Sequence, residues 1–391
     1  MTTTIPRASA ILGAARTLAA KLLLAVPIDR AALSEAMTES AGGNDAEGAW
    51  QQRDSFEALE VALSLAIPEL VSRMDVGAAI ATLEALVRAL PTHTVRSEDQ
   101  IQFQQFSTPP ALARLAVHLA RICSDDMLLE PSAGTGIIAS LAKGAVKDLI
   151  LNELEPSRAE LLEAVFPGTR VYRHDGAKLN ALLSGTARPS VVLMNPPFSA
   201  VAHVDSRTTE ATARHLRSAL ARVAPGGRLV AITGANFAPD APAWAEMFSR
   251  LTERAHLVFT GAVSGAAFAK HGTSFETRIS VFDKCRGGER GGITADLVRP
   301  ISSEVASLLS LITTHVPPRL ALDPDGVAAS RPTSPFPGNP ARATRAAIST
   351  SRAVVLLEFR VPGEAVAFTS TGDELGTAGG PFKRARHFPP T

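Results

Sequence analysis

The chain has 391 residues, 46% of them apolar, with 39 basic side chains against 38 acidic ones and a formal net charge of +1. That length allows one large domain with attachments or two domains, and the charge balance excludes a strongly basic chromatin-type binder but not a local basic groove. Two cysteines, Cys123 and Cys285, are too few for a disulfide framework or a Cys-rich zinc site, so a reducing cytosol and no metal are expected. Arg16 and Lys21 interrupt the amino-terminal apolar stretch short of the ~20 apolar residues of a membrane span. The apolar run 22–27 is also short for a signal-peptide core, which predicts a cytoplasmic protein without a membrane partner.

Up to about residue 90 the pattern is helical. Asp29 caps a helix over 31–37, Asp54 precedes one over 56–74 that Pro68 should kink or break, and Asp75 caps a third that Pro91 closes. Ala79, Leu83, Leu86, Val87 and Leu90 recur at helical spacing, which favours packing onto the next domain over partner binding. From about 106 to 284, apolar runs at 127–129, 149–152, 170–172, 191–194, 228–233, 256–259 and 277–282 read as strands. Helical stretches at 137–143, 156–166 and 209–223 lie between them, which predicts a mostly parallel sheet covered on both faces with ligands at its carboxyl edge. Beyond Lys284 the chain turns to Gly, Pro, Ser and Arg, with a helix-like stretch at 303–313 and a strand-like run at 353–359. Most of it reads as linker or tail, including the segment 332–340. The expected division is a helical cap over 1–100, an α/β domain over 101–286 and a largely irregular extension over 287–391.

Four strand ends carry chemistry. The first runs Glu130, Pro131, Ser132, Ala133, Gly134, Thr135, Gly136, where glycines let the backbone turn tightly and approach a ligand. Glu130 suits a cationic amino acid moiety and repels a pyrophosphate, and the third glycine of the dinucleotide fingerprint is absent. At the end of the next strand Glu153 can accept both hydrogen bonds of a ribose diol, Leu154 can cover an adenine ring, and Glu155 with Pro156 opens the following helix. After the third, Asp175 can accept from an adenine amino group, while His174 reads as a rim residue and not a base or metal ligand. The fourth is Asn195, Pro196, Pro197, Phe198. Prolines after a strand hold the backbone extended, so the Asn195 and Pro196 carbonyls can accept both hydrogens of an NH₂ group and turn its lone pair toward a methyl donor. Phe198 can stack on a base that has left its helix. The bland alternatives are tight turns, solvated glutamates and a rigid turn with a buried Phe; the order of the four segments weighs against them.

With Gln105, Phe106, Ser107, Thr108, Pro109 and Pro110 ahead of them, these segments resemble class I S-adenosylmethionine-dependent methyltransferases of the adenine-N6 DNA type. The resemblance implies a Rossmann-like α/β fold with a mostly parallel seven-stranded sheet, S-adenosylmethionine as cofactor, and Phe106 and Thr108 against its methionine part. A closer resemblance, over roughly residues 20 to 285, is to the amino-terminal methylase region of plasmid and phage Strawberry notch-like proteins, through Gly48, Ala49 and Trp50, the segment 91–98, and His271, Gly272 and Thr273. In that family a helicase-type ATPase region follows, and such an ATPase is a possible partner or missing region. No Gly-x-x-x-x-Gly-Lys-Ser/Thr loop occurs here, so no ATP hydrolysis is expected. Nothing after Lys284 clearly supplies a target-recognition domain; the basic and aromatic cluster at 382–388 could touch nucleic acid or be a solvated tail. The competing readings are RNA adenine or protein glutamine methylation, and a non-catalytic binding module.

Overall fold

The computed structural model describes residues 5–92, 107–197, 211–265, 276–294, 297–302, 304–319, 322, 357–361 and 364–368. Its amino-terminal helices are α1 (Arg7–Leu23), α2 (Arg30–Ala41), α3 (Gln52–Leu70) and α4 (Val76–Ala89). Asp29 and Asp75 cap α2 and α4 as expected, accepting from the Ala32 and Ala78 amides at 2.8 and 2.9 Å, each bond worth about 1 kcal/mol. Helix α3 departs from the sequence reading at both ends. It starts before Asp54, which instead sits at the third helical position and accepts the Gln51 N–H at 2.9 Å. Pro68 does not break it, because the hydrogen bond that proline forfeits belongs to the closing turn and the helix stops at Leu70.

The α/β part follows as α5 (Pro110–Ala120), β1 (Met127–Glu130), α6 (Ile137–Ala142), β2 (Asp148–Asn152), α7 (Pro156–Val165) and β3 (Arg170–Tyr172). Next come α8 (Leu179–Leu182), β4 (Val191–Met194), α9 (Ala211–Arg222), β5 (Arg228–Gly234) and α10 (Ala245–Leu251). Strands β6 (Ala255–Val263) and β7 (Thr277–Lys284) complete the seven expected strands. The strand order is β3-β2-β1-β4-β5-β7-β6, with only β7 antiparallel to its neighbours. This is the Rossmann-like, mostly parallel sheet expected of a class I methyltransferase.

Side chains alternate across the sheet. Leu128, Val191, Leu193, Val230 and Ile232 enter the core shared with α1 to α5, whereas Leu129, Val192, Met194, Leu229 and Ala231 enter a second core with α8, α9 and α10. Both faces are therefore covered, which is why these strands are short continuous apolar runs. From β1 the chain winds outward to β2 and β3, then returns to the other side of β1 as β4. Connections diverge at that point and leave a crevice at the carboxyl ends of β1 and β4.

Part of the segment read as linker or tail is built into this sheet. Strands β8 (Gly292–Ile293) and β9 (Leu297–Ser302) pair parallel to β6, and α11 (Val305–His315) buries Val305, Leu308 and Ile312 in the first core. Their partners lie far back in the chain, so local composition could not reveal them. Strands β10 (Leu357–Val361) and β11 (Glu364–Phe368) form an antiparallel pair, and β10 overlaps the strand-like run expected at 353–359, whose first four residues lie outside the described residues. The segments 332–340 and 382–388 lie outside the described residues. Among the described residues no helix is long and apolar enough to cross a membrane.

One buried charge holds β5, β7 and the segment after α11 together. Arg228 is fully buried, pairs with Asp283 across the strands at 2.6 and 2.8 Å, and donates to the Leu119 and Pro317 carbonyls, each at 3.1 Å. Asp283→Ala, which strands the guanidinium, is expected to cost about 3–5 kcal/mol in urea denaturation, and Arg228→Met with Asp283→Leu to recover most of it. Equal losses in the single and double variants would contradict this account.

Candidate active site

A cavity of about 280 Å³ opens at the carboxyl ends of β1, β2 and β4. Its floor is the loop after β1, from which Ser132, Ala133, Gly134 and Thr135 line it. Gly134 has φ +54°, a left-handed conformation that the loop needs to turn under a ligand. Gly136 serves a different purpose from the one its spacing suggested. It does not line the cavity; its φ is +88°, and a Cβ there would come within 2.5 Å of the Phe166 ring, so its small size lets the end of α7 pack against the loop. Glu130, expected at the cofactor, lies behind the loop. It is 1% exposed and absent from the cavity lining, and it accepts a backbone hydrogen bond from Ala139 at the start of α6. Burial, with a contribution from the nearby Glu153 charge, pushes its carboxyl well above the ordinary value.

Asn152, which the sequence reading passed over, joins three strand ends. Its buried amide donates to the Pro131 and His174 carbonyls and accepts from the His174 N–H, all at 2.9 Å. Every hydrogen-bonding role of that amide except one lone pair is then filled, so the β1, β2 and β3 loops move as one body. Beside it, Glu153 accepts from the Gly134 N–H at 2.8 Å and from the Glu155 N–H at 3.0 Å. Each oxygen keeps a second lone pair for a hydroxyl. Leu154 lines the cavity although it is 50% exposed, an apolar surface without a core to fill. Glu155 caps α7 as expected, accepting from the Arg158 N–H at 2.7 Å. Asp175 lines the cavity and accepts from the Ala177 N–H at 3.0 Å.

Helix α9 closes the far side with His215, another residue the sequence reading missed. Its Nε2 lies 4.0 Å from Asp175 Oδ1, and its Nδ1 is buried with no hydrogen-bond partner among the described residues. Burial lowers its pKa against the opposing pull of Asp175, so the imidazole is neutral at pH 7. Gly176 makes room for it, since a Cβ there would sit 2.7 Å from Nδ1.

At the end of β4, Asn195 and Pro197 line the cavity, while Pro196 is buried and does not. The Asn195 amide nitrogen donates to Thr108 Oγ1 at 2.9 Å, which joins the segment ahead of α5 to the Asn-Pro-Pro turn. Thr212 on α9 donates to the Pro197 carbonyl at 2.9 Å and fixes the turn from the other side. Phe106 and Phe198 lie outside the described residues.

The wall behind the floor comes from the amino-terminal helices. Arg158 lines the cavity and donates to Glu57 at 3.0 Å, with Glu60 at 3.7 Å; Glu57 also accepts from Arg7 at 2.6 Å. Burial opposes the Arg158 charge, yet Glu57, Glu60 and Glu153 together raise its pKa. Burial likewise raises Glu60, against Arg158 and hydrogen bonds from Ser107 and Thr135. Among the described lining residues, the Glu153, Glu155 and Asp175 carboxylates outnumber this one engaged guanidinium. The resulting field favours a cation and opposes a pyrophosphate.

No family model and no curated protein matches the chain. Solved structures do. A Pyrococcus horikoshii protein described as an RNA methyltransferase shares 19% identity over 53% of this chain and 98% of its own, with a TM-score of 0.40. A Listeria monocytogenes protein described as a class I S-adenosylmethionine-dependent methyltransferase shares 13% over 79% and 98%, with a TM-score of 0.45. The modification subunit of a type I restriction enzyme from Vibrio vulnificus shares 14% over 54% of this chain and 53% of its own, with a TM-score of 0.41. Likenesses this distant leave the chemistry of the site to its own residues.

The raised pKa of Glu130 makes a pH prediction. The folded state holds this proton more tightly than the unfolded chain, so the stabilisation is complete below the ordinary Glu value and is lost as pH rises toward the folded value. Glu130→Gln, which keeps an acceptor for Ala139, is expected to be more stable than the parent at about pH 8 and to show less decline from about pH 5 in urea titrations. Parallel curves for the two proteins would place that proton elsewhere.

Proposed function

We propose that the chain is an S-adenosylmethionine-dependent N-methyltransferase acting on a planar exocyclic amine, with N6 of adenine in DNA as its substrate. The observation that carries this reading is the hydrogen bond between Asn195 and Thr108, which orients an amide at the edge of an acidic cavity. S-adenosylmethionine, when bound, supplies a methyl group on a cationic sulfonium. The residues present fit it: the carboxylate excess suits its positive charge, the spare lone pairs of Glu153 suit a ribose diol, and exposed Leu154 offers an apolar surface to an adenine ring. Asp175, with neutral His215 beside it, supplies polar atoms for the edge of that ring.

With its nitrogen held by Thr108, Asn195 presents its carbonyl oxygen as the acceptor for an amine hydrogen. The Pro196 carbonyl is the proposed second acceptor and Phe198 the proposed stacking partner. Two such bonds draw the amine toward sp³ geometry, so its lone pair can attack without a side-chain base. Catalysis then comes chiefly from positioning. DNA as the polymer rests on the resemblance of the ordered motifs to adenine-N6 methylases.

The test is transfer of tritiated methyl groups to DNA, RNA and protein in parallel. Asn195→Ala is expected to lower transfer to DNA at least about 100-fold, the range for losing an aligned catalytic hydrogen bond, while cofactor binding by calorimetry stays within about twofold. Glu153→Ala should instead weaken cofactor binding roughly 10- to 100-fold. Full transfer by Asn195→Ala would refute the mechanism. Methyl groups found only in RNA or in glutamine would refute the DNA assignment, and no cofactor binding at millimolar concentration would make the chain a non-catalytic module.

A further inference from the structure

The antiparallel pairing of β6 with β7 brings the start of one strand beside the end of the other, with Ala255 opposite Lys284 and His256 opposite Asp283. This edge is the opposite end of the sheet from the cavity, because β6 runs in the same direction as β1, β2 and β4. Here the His256 imidazole, the Cys285 thiol and the Glu289 carboxylate each present an atom within 4.8 Å of the other two. The cluster draws on β6, on the residue that follows β7, and on the turn that leads to β8.

That turn is well defined. Gly288 adopts φ +81°, Arg286 N–H donates to Glu289 Oε2 at 2.8 Å, and Glu289 N–H donates back to the Arg286 carbonyl at 3.2 Å. One carboxylate oxygen is thereby tethered and the other remains available. The Cys285 N–H donates to the Arg254 carbonyl at 3.1 Å, and Cys285 is 7% exposed while Glu289 is exposed. Two ligand atoms are thus carried by the sheet edge and the third arrives from solvent.

We infer that His256, Cys285 and Glu289 form a zinc-type divalent cation site, with three protein ligands and one open position. Imidazole, thiolate and carboxylate are the donors zinc takes, at about 2.0–2.3 Å, which spaces tetrahedral ligand atoms roughly 3.3–3.8 Å apart. From their separation of no more than 4.8 Å the three side chains need close by only about an ångström to meet that spacing. Thiolate and imidazole also select against magnesium and calcium. On binding, the thiol proton passes to solvent, the metal–sulfur and metal–nitrogen bonds form, and waters leave the ion. The two negative ligands balance the ion's charge. Far from the cavity, such an ion would clamp β6, β7 and the turn before β8. The sequence expectation of no metal rested on counting cysteines; a mixed set separated by a strand pair leaves no spacing motif to read.

The test uses the full chain without an affinity tag and cobalt(II) as the probe, with zinc as competitor. The expected result is one equivalent of cobalt with a thiolate-to-cobalt charge-transfer band that zinc abolishes. Cys285→Ser should lose the band and Cys123→Ser, which alters the exposed second cysteine, should keep it. Glu289→Gln should weaken binding about tenfold or more. Zinc should raise the thermal midpoint of the parent and of Cys123→Ser, but not of His256→Gln, which also serves if Cys285→Ser does not fold. Absence of a band in the parent, or its survival in Cys285→Ser or His256→Gln, overturns the assignment.

Discussion

A guanidinium keeps its charge when removed from water, so burying one is costly unless carboxylates meet it, and the Arg158 site is built around that constraint. Its partners Glu57 and Glu60 belong to α3, and Arg7 of α1 reaches Glu57, Asp54 and, through a 2.9 Å hydrogen bond, Ser157 on the same helix as Arg158. Breaking one member of such a buried group costs on the order of 3–5 kcal/mol, because the charge left behind has no solvent to turn to. The amino-terminal helices are therefore joined to the cavity wall by charge as well as by the apolar core they share with the sheet. Glu60 extends the link to Ser107 and Thr135, both of which line the cavity.

The same network sets the field inside the cavity. With Arg158 claimed from behind, the carboxylates of Glu153, Glu155 and Asp175 dominate the surface a ligand would meet. Glu130 does not line that surface, and burial raises its pKa, which weakens its contribution to the field. A doubly wound sheet can serve phosphates when amides and cations ring its crevice; here the ring carries the opposite charge. Asn152 then gives this field a fixed geometry by tying the three strand-end loops together.

The strands and the cavity were legible in the sequence for one physical reason: a parallel sheet buried on both faces leaves short apolar runs, and each run ends where chemistry can begin. Ser132, Gly134, Glu153, Asp175 and Asn195 were found that way, Thr108 only through the family resemblance, and all lie together around the cavity. What the pattern could not show were side chains whose meaning depends on a distant partner. Asn152 looks like a strand terminus, and His215 like one polar position of an amphipathic helix. Asp54, Glu57 and Glu60 did leave a trace, a stripe of carboxylates at spacing three along α3. At Gly136 the structure shows a packing reason the pattern could not reveal, because a small residue needed by a neighbouring ring and one needed by a ligand look identical in one dimension. The helix-like stretch at 303–313 was visible and is α11, but its place in the core was not, because its apolar stripe closes on α4, α5 and β6, all much earlier in the chain.

The position of β7 bears on how the chain comes to be folded at all. Emerging from a ribosome, β5 and then β6 precede the strand that must lie between them, and Arg228 appears 55 residues before its counter-charge Asp283. Until β7 arrives, β5 has an open edge on that side and Arg228 lacks its counter-charge, so this half of the sheet is incomplete. Long-range pairing of this kind is slow and exposes edges while it waits. The strand that completes the seven-stranded order therefore also brings the counter-charge for Arg228, so the pairing of β5, β7 and β6 and the burial of that charge are one event in sequence terms.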